Sequence, residues 1–382
     1  MDFDLSEEQS LFKDVIGRLL AGHYAFAQRD TYARSETGWS REVWSRLAEM
    51  GLLALSFDAA HGGSGGGPVE TMIAMEEFGR ALALEPYLAT VVLGAGLLRH
   101  CASAEQKSSL LPRVASGGLI LAFAHTERQS RYDLHDVACR ARRDGGAWIL
   151  DGEKMVVLHG DSADVLLVTA RTAGGRRDRG GIGLFAVDAG ADGVTRRGYA
   201  TQDGRRAAHV ALANVRVDAV AALGDPEGAL PVVERVVDEA MAALAAEAVG
   251  VMLALHAQTV DHLRTRRQFG AAIGSFQALQ HRAADMYVAV EQARSMAMLA
   301  TMMVAESDHL LRHRHIAAAK IQIGRSGRFV GQQAIQLHGG IGMTAECKAG
   351  HAFKRLTTID TLFGDADHHL CRLAASGGLE PD

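Results

Sequence analysis

The stretch RTRRQFGAAIGSFQALQHRAADM, residues 264–286, reads as the junction of two helices. Arg266 and Arg267 end one helix, Phe269-Gly270 turns the chain, and Ser275 is placed to cap the next helix before Phe276 and Gln277. An arginine beside a helix N-terminus suits phosphate, since guanidinium and free N–H groups both favour an anion. Arginines at a helix C-terminus also merely offset the dipole, so the surroundings decide. Downstream, Leu279, Ala283, Met286, Val290, Ala293, Ala297, Ala300 and Val304 follow steps of four and three, one apolar stripe as on a bundle helix. Ile316, Ala319, Ile323, Gly327, Val330, Ala334 and Leu337 form a second stripe. Val233, Val237, Ala240, Leu244, Ala248, Val251 and Leu255 form a third. Small residues on the stripes permit close helix approach. Residues 223–382 are therefore expected to be a helical bundle.

Working toward the N-terminus, the period changes. Over 119–222, short β-type runs (LILAFAHT, WILDGEKMVVL, ADVLLVTAR, GIGLFAVDA, HVALANVRV) alternate with turns, and Asp144-Gly145-Gly146 and Asp151-Gly152 are hairpin signals. With no helices between them, these runs predict an antiparallel sheet or barrel and disfavour a Rossmann fold. Residues 1–118 read as helices again, with Ser6 a candidate N-cap ahead of Leu11, Phe12, Val15, Ile16 and Leu19. HGGSGGGP at 61–68 lacks a preceding strand and the dinucleotide spacing, so it reads as a flexible connection. The expected fold class is α+β: an N-terminal helical domain, a middle antiparallel β-domain and a C-terminal four-helix bundle.

The chain has 382 residues, 48% hydrophobic and 22% charged, enough to bury a full core. A net charge of -5 argues against nucleic acid as the main partner. Cys101, Cys139, Cys347 and Cys371 are scattered without a C-x-x-C pair, as expected of a reduced, cytoplasmic protein. No signal peptide and no membrane span are expected from the acidic N-terminus and the lack of a long uncharged apolar stretch.

Two further stretches carry candidate chemistry. In AIQLHGGIGM, 334–343, a helix ends in Gly339-Gly340, which allows close backbone approach to a ligand and equally serves as a C-cap. TLFGDADHHL, 361–370, sets Asp365, Asp367, His368 and His369 behind Phe363-Gly364. Adjacent histidines rarely reach one ion, and His309 with His313 forms no H-E-x-x-H pattern, so no metal site is expected. Asp365 or Asp367 reads as the cap of a last helix.

In order along nearly the whole chain, LSEEQSLFKD, HGGSGGG before EEFGRAL, Thr126-Glu127, WILDGEKMVV, TRRQFG with SFQALQ, and IQLHGGIGM resemble the acyl-CoA dehydrogenase family of flavoproteins. The resemblance implies FAD as cofactor, with Arg266 at its pyrophosphate in a neighbouring subunit and Phe269 and Gln277 along the same arm. It implies further contacts from Gln336, Leu337, His338, Gly339 and Gly340, and places Thr126 at the flavin edge. It also implies α,β-desaturation of an acyl-CoA or acyl-carrier thioester: a carboxylate takes the α proton, a hydride passes to the flavin, and an electron-transfer flavoprotein accepts the electrons. The assembly implied is a homo- or hetero-tetramer.

The sequence departs from the family pattern in three places. Val156, Val157 and Leu158 follow Lys154-Met155 where many members carry tryptophan and threonine, and TERQSRYDL at 126–134 replaces the usual loop around Ser130. Aligned at Gly364, Phe363 occupies the place of the catalytic glutamate. A phenyl ring takes no proton, although its backbone N–H remains where the family polarises the thioester carbonyl. General-base catalysis is worth ~10²–10⁴ in rate. Some members carry the glutamate on the helix before TRRQFG, at the position of Ala240 here; Glu239 is rotated by about 100° from it, and Glu247 is expected on a polar helix face. Asp365 is the local candidate base. The LFGDADHHL ending resembles the small subunits of heteromeric bacterial acyl-CoA dehydrogenases, the pimeloyl-CoA type included. The expectation is a subunit that needs a glutamate-bearing partner. A self-sufficient homo-oligomer using Asp365 or another group, and a non-catalytic scaffold, are the alternatives.

Overall fold

A computed structural model describes residues 4–379. Helices come first: α1 (Glu7–His23), α2 (Phe26–Arg34), α3 (Arg41–Glu49), α4 (Pro68–Ala81), a buried π-helix (Leu88–Ala95) running into α5 (Gly96–Cys101), and α6 (Ala104–Ala115). Seven strands follow: β1 (Leu121–Ala124), β2 (Arg140–Asp144), β3 (Ala147–Leu158), β4 (Val165–Arg171), β5 (Ile182–Asp188), β6 (Val194–Ala200) and β7 (Arg206–Asp218). The chain then runs through α7 (Leu230–Thr265), the short strands β8 (Arg267–Gln268) and β9 (Ala271–Ala272), α8 (Gln277–Met303), α9 (His309–His338), α10 (Lys348–Thr361) and α11 (Ala366–Ala375). This is the helix–sheet–helix order expected. Two compact units form: a helical one from the described parts of 1–31, 68–83 and 241–382, and a sheet-containing one from 32–67 and 84–240.

In the second unit the strands run β1-β4-β2-β3-β7-β6, with β5 also on β4. The expectation of an antiparallel sheet needs correction, because β1 pairs with β4 in parallel from Leu121↔Val165 to Ala124↔Val168. The hairpin β2–β3 lies between them in sequence, long enough a connection to bring β4 back in the same direction. Asp144-Gly145-Gly146 does make the β2–β3 turn, with Asp144 opposite Ala147. Asp151-Gly152 does not turn the chain. It lies inside β3, where the register to β7 shifts, and a side chain at Gly152 would strike Cys139. The core of this sheet packs Trp148 edge-on against Phe185, ring centroids 5.2 Å apart, among Leu150, Leu166, Val168 and Val210. HGGSGGGP is not a loose connection. The N–H groups of Gly63, Gly65 and Gly66 bond to Asp58, Phe57 and Leu55 carbonyls, and a Cβ on Gly63 would collide with the Phe57 backbone.

In the helical unit, Ser6 caps α1 through a capping box with Gln9. The α9 stripe from Ile316 to Leu337 is buried throughout, and the α8 stripe is buried from Met286 to Ala300. Helices α4 and α7 cross at reciprocal glycines: a Cβ on Gly79 would meet the Glu247 carbonyl, and one on Gly250 the Glu76 carbonyl. Helix α7 holds an 18-residue window of mean hydropathy 1.7, with 78% of it buried, although its longest run without a charged residue is only 248–260. Burial inside the protein accounts for that apolar content.

Candidate active site

In the helical unit, the last turns of α7 and α9 meet. The His262 and His338 rings stack with centroids 4.6 Å apart. His338 Nδ1–H donates to the Ala334 carbonyl at 2.8 Å, which leaves Nε2 as an acceptor. That atom is buried and has no partner among the described residues. Burial first, then His338 and Arg266, hold the His262 imidazole below its usual pKa. Beyond His338, Gly339 adopts φ 65°, while Gly340 has open space where a Cβ would stand. Gln336 is exposed and Leu337 buried.

After α7, Arg266 is exposed, and Phe269-Gly270 forms the two-residue turn of the β8–β9 hairpin, with Arg267 opposite Ala272. Both turn residues have positive φ, 52° and 77°. Such turns favour Asn-Gly. Holding a phenylalanine there costs on the order of 1–3 kcal/mol, and residues kept in such conformations cluster at ligand contacts. The Phe269 ring is 92% exposed and meets Phe276 edge-on at 6.2 Å. Ser275 does not cap α8. Its hydroxyl donates to the Ala272 carbonyl at 2.7 Å, Phe276 holds the cap position without a side-chain bond, and Gln277 opens the helix exposed.

The Phe363 turn, between α10 and α11, is built on two buried side chains. Lys320 of α9, 1% exposed, donates to the carbonyls of Ile359 (2.6 Å), Asp360 (2.8 Å) and Gly364 (3.1 Å). His369 donates from Nε2 to the Phe363 carbonyl at 3.0 Å, and burial, with Lys320 and His368, brings its pKa down to about 3. Phe363 itself takes φ 60°. The carboxylates near the turn are engaged. Asp365 caps α11 by accepting the His368 N–H at 2.8 Å, and Asp360 pairs with Arg328 at 3.1 Å. Glu247 departs from expectation: it is fully buried and held in two bonds to Arg355, at 2.8 and 2.7 Å. A long apolar helix conceals a buried ion pair from sequence reading, because the partner lies 108 residues away. Among the described residues no three His, Cys, Asp or Glu side chains gather as metal ligands.

In the sheet-containing unit, Thr126 follows β1 and is half-buried, and its carbonyl accepts the Met155 N–H at 2.7 Å. Lys154, wholly buried, pairs with Glu127 at 2.7 Å and donates to the His125 carbonyl and Thr169 hydroxyl, both at 3.2 Å. Glu127 also accepts the Ala138 and Cys139 N–H groups at 2.8 and 3.0 Å. Burial opposes its charge, but Lys154, the Gln129 amide and the Cys139 N–H hold the carboxyl below the usual range. One ion pair thus fixes the residues on both sides of Thr126 and the start of the Met155-Val156 irregularity, where Val156 has φ 51° and is 43% exposed. Ser130 exchanges bonds with the Glu127 backbone, at 3.0 Å each way. Glu239 of α7 is bound by His100 at 2.7 Å and Arg99 at 3.2 Å.

Comparison with known proteins gives consistent matches. Family models described as the acyl-CoA dehydrogenase N-terminal, middle and C-terminal domains match residues 6–118, 122–220 and 230–377. The chain is 30% identical over 357 residues to the probable acyl-CoA dehydrogenase YngJ of Bacillus subtilis (strain 168), covering 91% of each. Its structure is similar to a chain of the ChsE4–ChsE5 complex from Mycobacterium tuberculosis, with TM-score 0.89, 26% identity and 100% of both chains covered. It is also similar to a chain of the Tcur3481–Tcur3483 steroid ACAD, with TM-score 0.86, 30% identity and 97% of each covered.

Proposed function

The chain belongs to the acyl-CoA dehydrogenase family, and from that premise we propose that it is an FAD-contacting subunit whose proton-abstracting carboxylate comes from a related, glutamate-bearing chain. It is an oxidoreductase of CH–CH bonds with FAD as cofactor. Residues of the helical unit fit the anionic arm of that cofactor. Arg266 is an exposed cation for the phosphates, Phe269 an exposed ring and Gly340 an open backbone surface, while the buried acceptor His338 Nε2 suits a hydroxyl or amino donor of the same arm and not a phosphate. Thr126 is placed at the flavin edge by the resemblance, but the Met155 N–H is held by the Thr126 carbonyl and the Val156 backbone by Tyr199, so fewer contacts remain than tryptophan and threonine would give. When bound, FAD supplies the hydride acceptor.

The observation that carries the reading is that Asp365 and Glu247 are both committed elsewhere, while the resemblance aligns Phe363 with the family's base. A capping carboxylate that left α11 to act as base would cost that helix about 1 kcal/mol and start from the wrong place on the turn. Without a base, the expected penalty is ~10²–10⁴ in rate, or about 3–5 kcal/mol at about 1.36 per tenfold. The ChsE4–ChsE5 neighbour is a complex of two named chains, which supports a mixed assembly here, a hetero-tetramer in our reading. An acyl-CoA or acyl-carrier thioester is the substrate, an electron-transfer flavoprotein the acceptor and the cytoplasm the setting. Anaerobic bleaching of the flavin by acyl-CoA tests the proposal: bleaching that requires a co-purified partner supports it, and rapid bleaching by the purified chain alone refutes it.

A further inference from the structure

The Phe363 turn is held in a way that the local sequence does not explain. In an uninterrupted helix the carbonyl of residue i accepts the N–H of residue i+4. The Ile359 and Asp360 carbonyls at the end of α10 would accordingly take the N–H groups of Phe363 and Gly364. They take the Lys320 ammonium instead, at 2.6 and 2.8 Å. The two backbone N–H groups are thereby released, and within the described residues neither donates to another acceptor. The opposite side of the turn is fixed as firmly. Phe363 and Gly364 direct their carbonyls to His369 and Lys320. Because a trans peptide sets its C=O and N–H in opposite directions, the Phe363 carbonyl at His369 aims the Gly364 N–H away from that ring. A Cβ on Gly364 would collide with His369, so the approach is tight.

A lysine that is 1% exposed and spends its three donors on one turn is a costly arrangement for a surface connection. Glycine C-caps end helices without any such side chain. What the lysine adds is a pair of free donors at the residue aligned with the family's base. From this we infer that Lys320 and His369 are positioning residues, which act through the backbone to hold the Phe363 and Gly364 N–H groups as donors to the carbonyl of an acyl thioester. This rests on the thioester reading given above. Donors fixed in advance toward developing oxyanion charge are worth ~10²–10³ each in enzymes of known mechanism, so the turn keeps its polarising half after the base is gone.

The test uses the full-length chain as purified with its flavin, and 2-enoyl-CoA thioesters (crotonyl, octenoyl and hexadecenoyl) labelled with carbon-13 at the carbonyl. Isotope-edited infrared difference spectra read the carbonyl stretch of the bound ligand. The wild type is expected to shift that band to lower frequency. In Lys320→Met, α10 is expected to recapture the two N–H groups and the shift to be lost, with flavin content retained. His369→Leu is expected to reduce the shift and His369→Gln, which keeps a donor for the Phe363 carbonyl, to restore it. That pair decides the matter if Lys320→Met does not fold. A full shift kept in the Lys320→Met and His369→Leu variants overturns the inference while leaving the thioester reading intact. Bound ligand with no shift in the wild type overturns both.

Discussion

At the scale of single residues, the proposed function turns on Phe363. Phe363→Glu would put a carboxylate on a turn already held by Lys320 and His369. The variant, purified alone, is expected to gain acyl-CoA-dependent flavin bleaching of ~10² or more over the parent, measured by anaerobic stopped-flow. A variant that binds thioester and stays silent would count against the base assignment. The sequence proposes Phe363 for the base position because its glycine neighbour aligns with the family motif. The group that shapes its turn was not legible there, since nothing near Lys320 announces three carbonyl partners 39 to 44 residues downstream.

Two histidines set an acid limit. His125 and His369 are buried, and burial brings each pKa down to about 3. In the unfolded chain both take a proton near pH 6.5. Between those values the unfolded state holds protons that the folded state refuses, so stability falls as pH drops, by about 1.4 kcal/mol per unit for each histidine. Denaturant midpoints of wild type and His369→Gln between pH 6 and 4 should differ in slope by about one proton. Equal slopes would mean that His369 is charged in the fold.

At the scale of elements, buried pairs and close crossings carry the fold. Lys154→Met leaves Glu127 buried without its ammonium and is expected to cost about 3–5 kcal/mol, read in urea melts, with much of the loss recovered by adding Glu127→Gln. A loss below about 1 kcal/mol would show the pair to be solvated. Gly250→Ala forces α7 away from the Glu76 carbonyl of α4 and should cost about 1–3 kcal/mol. The helical stripes were readable because period and burial coincide. Strands β2 and β6 escaped notice because RARRD and VTRRGYA are mostly exposed and charged, edge-like sequences whose place is set by their neighbours. Asp151-Gly152 misled for a related reason: bulge and turn both favour glycine, and only the pairing with β7 tells them apart.

At the scale of the molecule, the order of helices and sheet followed from patterning, while the parallel pairing of β1 with β4 depends on contacts 44 residues apart that no local signal encodes. The proposed cofactor arm shows the same division. Arg266 and Gly339-Gly340 stand out as motifs, but the orphaned His338 Nε2 does not. Phe269→Ala should leave the stability of the isolated chain within about 0.5 kcal/mol, since the ring is 92% exposed, yet lower flavin retention on gel filtration. Unchanged retention would remove Phe269 from the cofactor site.

That bare ring has a consequence for handling the protein. A group left uncovered in one chain and covered by what docks on it ties thermal resistance to mass action. At a hundredfold excess over its dissociation constant, a ligand adds about 2.7 kcal/mol. Dilution should therefore lower the melting temperature, and added FAD should raise it again.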